Sequence, residues 1–293
     1  MDERQSLAAW KAAPEAAAAR AGELARHPRF SQAARALAAN MLALGEADKA
    51  LDGVFKDAGR YMTAMCALHL HLSGGLTLPR LKEACGTSGF LSPGRARAML
   101  HYLRHLGYFA PAGETPMRYV PTESFVSAWG AHQRAALEAA RIVEPAVGWI
   151  ADRLHEPAVF ESFSRVQCRD LWQMAQGVNQ ENAFTRIFQH AYAGFQLIWT
   201  LIETSDGGVF PPRRSTPPSI AALARRFGVS RIHIRRMLDE AERAGILTCE
   251  ADGGIVFAES QYAMLTHLYA MQLLQLLTAA AGAMEELAGE AAA

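Results

Sequence analysis

Two stretches of this chain, about 135 residues apart, carry the same punctuation. Gly74-Gly75 corresponds to Gly207-Gly208 at an offset of 133, Ser92 to Ser230 and Gly107 to Gly245 at 138, and Glu123-Ser124 to Glu259-Ser260 at 136. Residues that cap helices or form turns are tied to backbone geometry, so a repeat in their spacing constrains the fold more than matched Ala and Leu would. The offset drifts where loops change length: a Pro-rich insertion at 209–218 lengthens the second stretch, and GTSGFL at 86–91 is four residues longer than GV at 228–229. The expectation is an internal duplication, two similar units related by a pseudo-two-fold axis.

The order of elements repeats as well. In the first stretch a helical apolar face runs from Val54 to Leu72 and stops at Ser73-Gly74-Gly75. LTLPRLKEAC and SPGRARAMLHYLRHLGYF predict two further helices, FAPAGETPMRYVP a hairpin, and Thr122 to about Ala140 a closing helix. In the second stretch NAFTRIFQHAYAGFQLIWTLIET predicts one long apolar helix and VFPPRRSTPP a loop. SIAALARRF and RIHIRRMLDEAERAGIL predict helices around a GVS turn, LTCEADGGIVF a hairpin, and Ser260 to Leu287 a last helix. The chain divides into an N-terminal helical arm at 1–45, a first unit at 46–145, a helical connector at 146–182 and a second unit at 183–293. The fold class is mainly α with small β-hairpins.

The most informative motif lies in the second unit. Ile220, Leu223, Ala224 and Phe227 form the inner face of one helix, Gly228 suits a tight turn, and Ser230 caps the next helix. There Ile234, Leu238 and Ala241 point inward, leaving Arg231, His233, Arg235 and Arg236 outward. The protein as a whole is neutral, with 29 basic and 29 acidic residues, yet Val209 to Met237 holds seven arginines (213, 214, 225, 226, 231, 235 and 236) and no acid. A helix whose exposed N-terminal half carries Arg suits the major groove, where guanidinium groups pair with guanine edges and phosphates.

The pattern Leu223-Ala224-x-x-Phe227-Gly228-Val229-Ser230-Arg231, followed by Leu238, Gly245-Ile246 and a hairpin, resembles the winged helix-turn-helix of bacterial MarR-type and GntR-type regulators. The first unit is similar more loosely, through Leu91 to Arg97, Leu100, Leu103, Leu106 and Gly107-Tyr108; its outward candidates are Ser92, Arg95 and Arg97, with Arg118 in the wing. The resemblance implies two winged units on a helical platform, as if two family subunits were joined in one chain, with recognition helices meeting successive major grooves. It implies a sequence-specific transcriptional regulator whose partner is double-stranded DNA. Arg213, Arg214, Arg225 and Arg226 would contact phosphates, and Ser230, Arg231, His233, Arg235 and Arg236 would lie at the groove. It also implies a monomeric pseudo-dimer or a homodimer, with a small-molecule effector left open. One departure is plain: the second wing, Cys249 to Gly254, is acidic where DNA-contacting wings carry Arg or Lys, and the first pairs Glu114 with Arg118.

Other chemistries find little support. No stretch of eighteen apolar residues suggests a membrane span, and the N-terminus lacks a secretory pattern, so a cytoplasmic, nucleoid-associated protein is expected. Cys66, Cys85, Cys168 and Cys249 form no CxxC pair and read as buried thiols, with redox sensing the alternative. His101 and His105, four apart, lack a nearby third ligand, so no metal or other cofactor is expected. Trp10, Trp129, Trp149, Trp172 and Trp199, with Phe184, Phe188, Tyr192 and Phe195, read as core or as the lining of an effector cleft. No nucleophile elbow, HExxH or P-loop is present, and an enzyme is not expected. Two alternatives stay open: a winged-helix protein-interaction module of a chromosome-organising complex, and a replication initiator.

Overall fold

A computed structural model describes residues 3–11, 14–87, 92–113, 117–175 and 182–292. It is mainly helical, with two small antiparallel sheets. Glu114, Leu91 and most of the loop at 86–91 lie outside the described residues, as does the Trp172 side chain. The chain opens with α1 (Glu3–Ala8), α2 (Ala17–Ala25), α3 (Phe30–Ala47) and α4 (Lys49–Val54). The first unit follows: α5 (Ala58–Leu72), α6 (Leu78–Thr87), α7 (Pro93–His105), the hairpin β1 (Phe109–Ala112) and β2 (Arg118–Pro121), and α8 (Glu123–Ala140). After α9 (Gly148–Arg153) and α10 (Pro157–Ala175), α11 (Ala183–Thr185) runs into a π-helical turn, Arg186–His190. The second unit comprises α12 (Gly194–Glu203), β3 (Arg214–Ser215), α13 (Ile220–Phe227), α14 (Arg231–Arg243), β4 (Leu247–Cys249), β5 (Ile255–Phe257) and α15 (Tyr262–Ala292).

Both units therefore run helix, short extended segment, helix, helix, hairpin, helix, and the same hydrogen bonds recur in them. Tyr108 N–H donates to Leu103 O and Ile246 N–H to Ala241 O, both at 2.9 Å, and Gly107 and Gly245 close the preceding turn in the same way. In the first unit Leu76 bridges Tyr119; in the second β3 pairs with β5, giving the order β3-β5-β4. That strand corrects the expectation that 209–218 is plain loop: Arg214 and Ser215 lie extended against Val256 and Ile255.

Three further expectations change. The helix expected from Val54 is interrupted at residues 55–57, and Asp57 recaps it by accepting the Arg60 N–H. The long helix expected at 182–204 breaks at Ala191–Ala193. Ala193 is left-handed (φ 64°), and its N–H leaves the helical ladder to reach Lys56 O at 2.7 Å. Gly194 is required there because a Cβ would meet Ile187 O at 2.5 Å. Finally, the expected arm and connector are neither. Leu24, Phe30, Leu37 and Met41 share one core with α8, α15 and the second unit. On α10, Arg165 pairs with Glu286 of α15 at 3.1 Å, and Gly282 of α15 permits close packing, since a Cβ there would meet Val166 of α10 at 2.9 Å.

The two units are joined by a buried polar node. Lys56 is 4% exposed; its ammonium lies 2.6 Å from the Asp52 carboxylate and donates to Phe227 O, at the end of α13, at 3.0 Å. Gln196 of α12 donates to the other Asp52 oxygen at 3.0 Å. A buried pair is costly to break because the surviving charge is stranded. We predict that Lys56→Met lowers unfolding free energy by about 3 kcal/mol, and that adding Asp52→Leu recovers much of the loss. Urea titrations of the three proteins check this; equal losses in single and double variants would refute it.

His132 sits among Phe55, Tyr61 and Trp129, whose ring centroids lie 4.5, 5.7 and 5.3 Å away. Burial pushes its imidazole down to about 3. Below the ordinary histidine value the unfolded chain gains a proton that the folded chain refuses until near that depressed value, so this contribution to stability is present at pH 7 and lost progressively in acid. We expect about 2 kcal/mol less stability at pH 5 than at pH 7, and a flatter pH dependence in His132→Gln. Denaturant midpoints across that range provide the measurement.

Candidate nucleic-acid interface

The helix-turn-helix of the second unit forms for local reasons. The Ser219 hydroxyl caps α13, burying Leu223, Ala224 and Phe227. Gly228, at φ 66°, ends the helix, and Val229 N–H returns to Ala224 O at 3.0 Å. The Ser230 hydroxyl then accepts the His233 N–H at 3.1 Å and starts α14. Ile234, Met237, Leu238 and Ala241 are buried along one face, which leaves Arg231, Ile232, Arg235 and Arg236 exposed. His233 is tied down: Nε2 lies 2.6 Å from Tyr192 O, as a donor must, and Nδ1 accepts from Arg236 at 3.1 Å.

The first unit repeats the device with different chemistry. Ser92 caps α7 through the Arg95 N–H, and Ala96, Met99, Leu100 and Leu103 are buried. Arg95 and Arg97 are exposed, and the Arg95 guanidinium lies 3.9 Å from the buried Asp57 carboxylate. A four-residue bridge joins the two helices. The Arg60 guanidinium carbon is 5.1 Å from the Tyr102 ring on α7 and 4.9 Å from the Tyr192 ring, which places the rings within about 10 Å of each other, and the Tyr192 carbonyl holds His233 on α14. α7 and α14 are thus linked indirectly, through Arg60 of α5 and Tyr192 in the turn before α12.

Long-range contacts also change the charge pattern. Arg214 is clamped by Asp206 (2.8 Å), Glu250 (2.8 Å) and Asp252 (2.6 Å), so the acidic wing neutralises it. Hydrogen bonds from Arg214 and then Thr216 hold the Asp206 carboxyl below its ordinary value. Arg226 reaches Glu46 at 2.7 Å and Glu203 at 3.5 Å. Neither is the free cation that an acid-free stretch of sequence suggested. Ser92 and Ser230 are occupied as caps. Among the described residues Arg97, Arg118, Arg213, Arg225, Arg231 and Arg235 form no ion pair, and all six are exposed.

Sequence reasoning missed Ile232, although the inward row at 234, 237, 238 and 241 already placed it on the opposite side. It missed the Arg60 bridge for want of any local signal. Of the thiols, Cys66, Cys85 and Cys168 are buried, with Cys66 and Cys85 hydrogen bonded to each other, while Cys249 is exposed. Trp129, Phe184 and Phe188 are core residues. A cleft of about 640 Å³ lies between α5, α8, α9 and α10, lined by Leu68, His71, Val126, Arg134 and Phe160, and none of the expected aromatic side chains among the described residues lines it. Among the described residues no helix is long and apolar enough to cross a membrane.

No protein-family model, curated protein or solved structure matches this chain.

The surface of α14 can be tested apart from any ligand. Ile232→Ala is expected to leave stability within about 0.5 kcal/mol of the original, whereas Ile234→Ala, two residues on, costs about 3 kcal/mol. Thermal and urea unfolding of the two variants would show it, and comparable losses would mean that α14 is rotated from the orientation described.

Proposed function

We propose that this protein binds double-stranded DNA through two unequal winged helix-turn-helix units of duplicated origin, and that it acts as a sequence-specific transcriptional regulator. The observation that carries the reading is the exposed N-terminal half of α14. Arg231 and Arg235 stand free there, behind a capped turn, with no acid on the helix before Asp239. In this reading α14 enters the major groove, Arg231 and Arg235 meet base edges, and Arg213 and Arg225 hold phosphates. Arg95 and Arg97 on α7, with Arg118 in its wing, supply the second contact. The Arg60 bridge makes the two helices one body, so they engage together on an asymmetric site. Occupancy of a promoter would then block or assist transcription.

A protein-interaction module is the second reading, favoured by one observation: the second wing carries no basic residue, and its carboxylates Glu250 and Asp252 neutralise Arg214 of the adjoining strand β3.

Selection of genomic fragments by the protein, followed by binding titrations at two salt concentrations, separates the readings. Arg231→Ala/Arg235→Ala and Arg95→Ala/Arg97→Ala are each expected to weaken binding by more than about tenfold. Each pair should also reduce the salt slope by up to about two, one for each arginine that sits on a phosphate. Absence of enrichment together with salt-independent behaviour would end the DNA reading in favour of a protein partner.

A further inference from the structure

Ile232 is 80% exposed, against 36–45% for Met117, Tyr192 and Val209, the other large apolar side chains that face solvent among the described residues. Nothing in the fold accounts for it. Its neighbours Ile234, Met237 and Leu238 form the packed row, and a β-branched residue in a first helical turn has lower helix propensity than Ala. Its surroundings are cationic: Arg231 precedes it, and Arg235 and Arg236 lie three and four residues on, beside it on the helix surface. The positions around it on the helix, Arg231, His233, Arg235 and Arg236, offer no apolar patch of the kind that forms the core of a protein interface. An apolar tip framed by guanidinium groups matches the floor of the major groove, where guanine acceptors alternate with one apolar feature, the 5-methyl group of a pyrimidine. In unmodified DNA that pyrimidine is thymine.

The first unit sharpens the argument. Ser92 and Ser230 are equivalent caps and Ala96 and Ile234 equivalent buried positions, so Gly94 stands on α7 where Ile232 stands on α14. Both are exposed, and only one has a side chain. We infer that Ile232 reads the methyl group of a thymine in the half-site met by α14, and that the half-site met by α7 carries no such requirement. The inference rests on the DNA-binding reading and adds a specificity-determining residue to it.

Replacing thymine by deoxyuridine removes the methyl group and leaves base pairing intact. In the selected site, each thymine would be replaced singly and binding measured for the original protein and for Ile232→Ala. The α14 half-site is the one whose sequence preference relaxes in Arg235→Ala. One thymine there should cost the original protein about fivefold in affinity when it becomes uracil. Ile232→Ala should show the same loss on thymine DNA, no further loss on uracil DNA, and an unchanged salt slope. If DNA is selected and bound but no uracil substitution matters, or Ile232→Ala still distinguishes the two bases, the inference fails while the DNA reading stands. If no DNA is selected, both fail. If Ile232→Ala instead dissociates an oligomer in sedimentation, Ile232 is a contact between chains and the inference is overturned.

Discussion

A lysine ammonium held out of water must find its partners within the protein, and Lys56 finds them in two different elements. Asp52 of α4 supplies the charge, and the carbonyl of Phe227, in the far unit, accepts a hydrogen bond from the ammonium. Gln196 steadies the carboxylate, and the backbone of Lys56 itself accepts from Ala193. Because low-polarity surroundings make each unmet partner expensive, the joint between the units has one satisfactory arrangement. The break before α12, the left-handed Ala193 and the seating of α13 against the α4–α5 corner all follow from meeting those hydrogen bonds. A second link between the units runs from Tyr102 of α7 through Arg60 and Tyr192 to His233 of α14.

On the proposed reading, this linkage bears on how the surfaces of α7 and α14 would work together. Two DNA-reading helices on a flexible tether would search for half-sites separately, whereas the proposed pair, held on one joint, would present a single face and accept only DNA that matches both. The unequal chemistry of the two helices, Gly94 and Arg95 against Ile232 and His233, adds direction to such a face. Charge is redistributed by distant contacts. Carboxylates on the second wing and on α3 and α12 consume Arg214 and Arg226, so of the seven arginines between Val209 and Met237, Arg213, Arg225, Arg231, Arg235 and Arg236 form no ion pair among the described residues.

Much of each unit was legible in the sequence because it depends on residues a few positions apart. Ser230 caps α14 through the N–H three residues on, Gly228 takes the left-handed turn, and the spacing of Ile234, Leu238 and Ala241 sets the buried face. The same logic located Ser92, Gly107 and α7. It failed at residues 191–193, where Gly194 is the one local hint and the carbonyl that draws Ala193 out of the helix belongs to distant Lys56, and at Arg214, whose partners are Asp206, Glu250 and Asp252. The N-terminal helices were read as an arm because their Ala-rich pattern shows an apolar face without showing what covers it.

The sequence by itself determined the helices, their caps, the turn between α13 and α14 and the repetition of that device, since these arise from interactions within about four residues. Only the tertiary structure decided which arginines are free, where the long helix breaks and how α7 and α14 are linked. Those outcomes depend on carboxylates, carbonyls and rings brought from distant parts of the chain, and no local pattern encodes which of them will arrive.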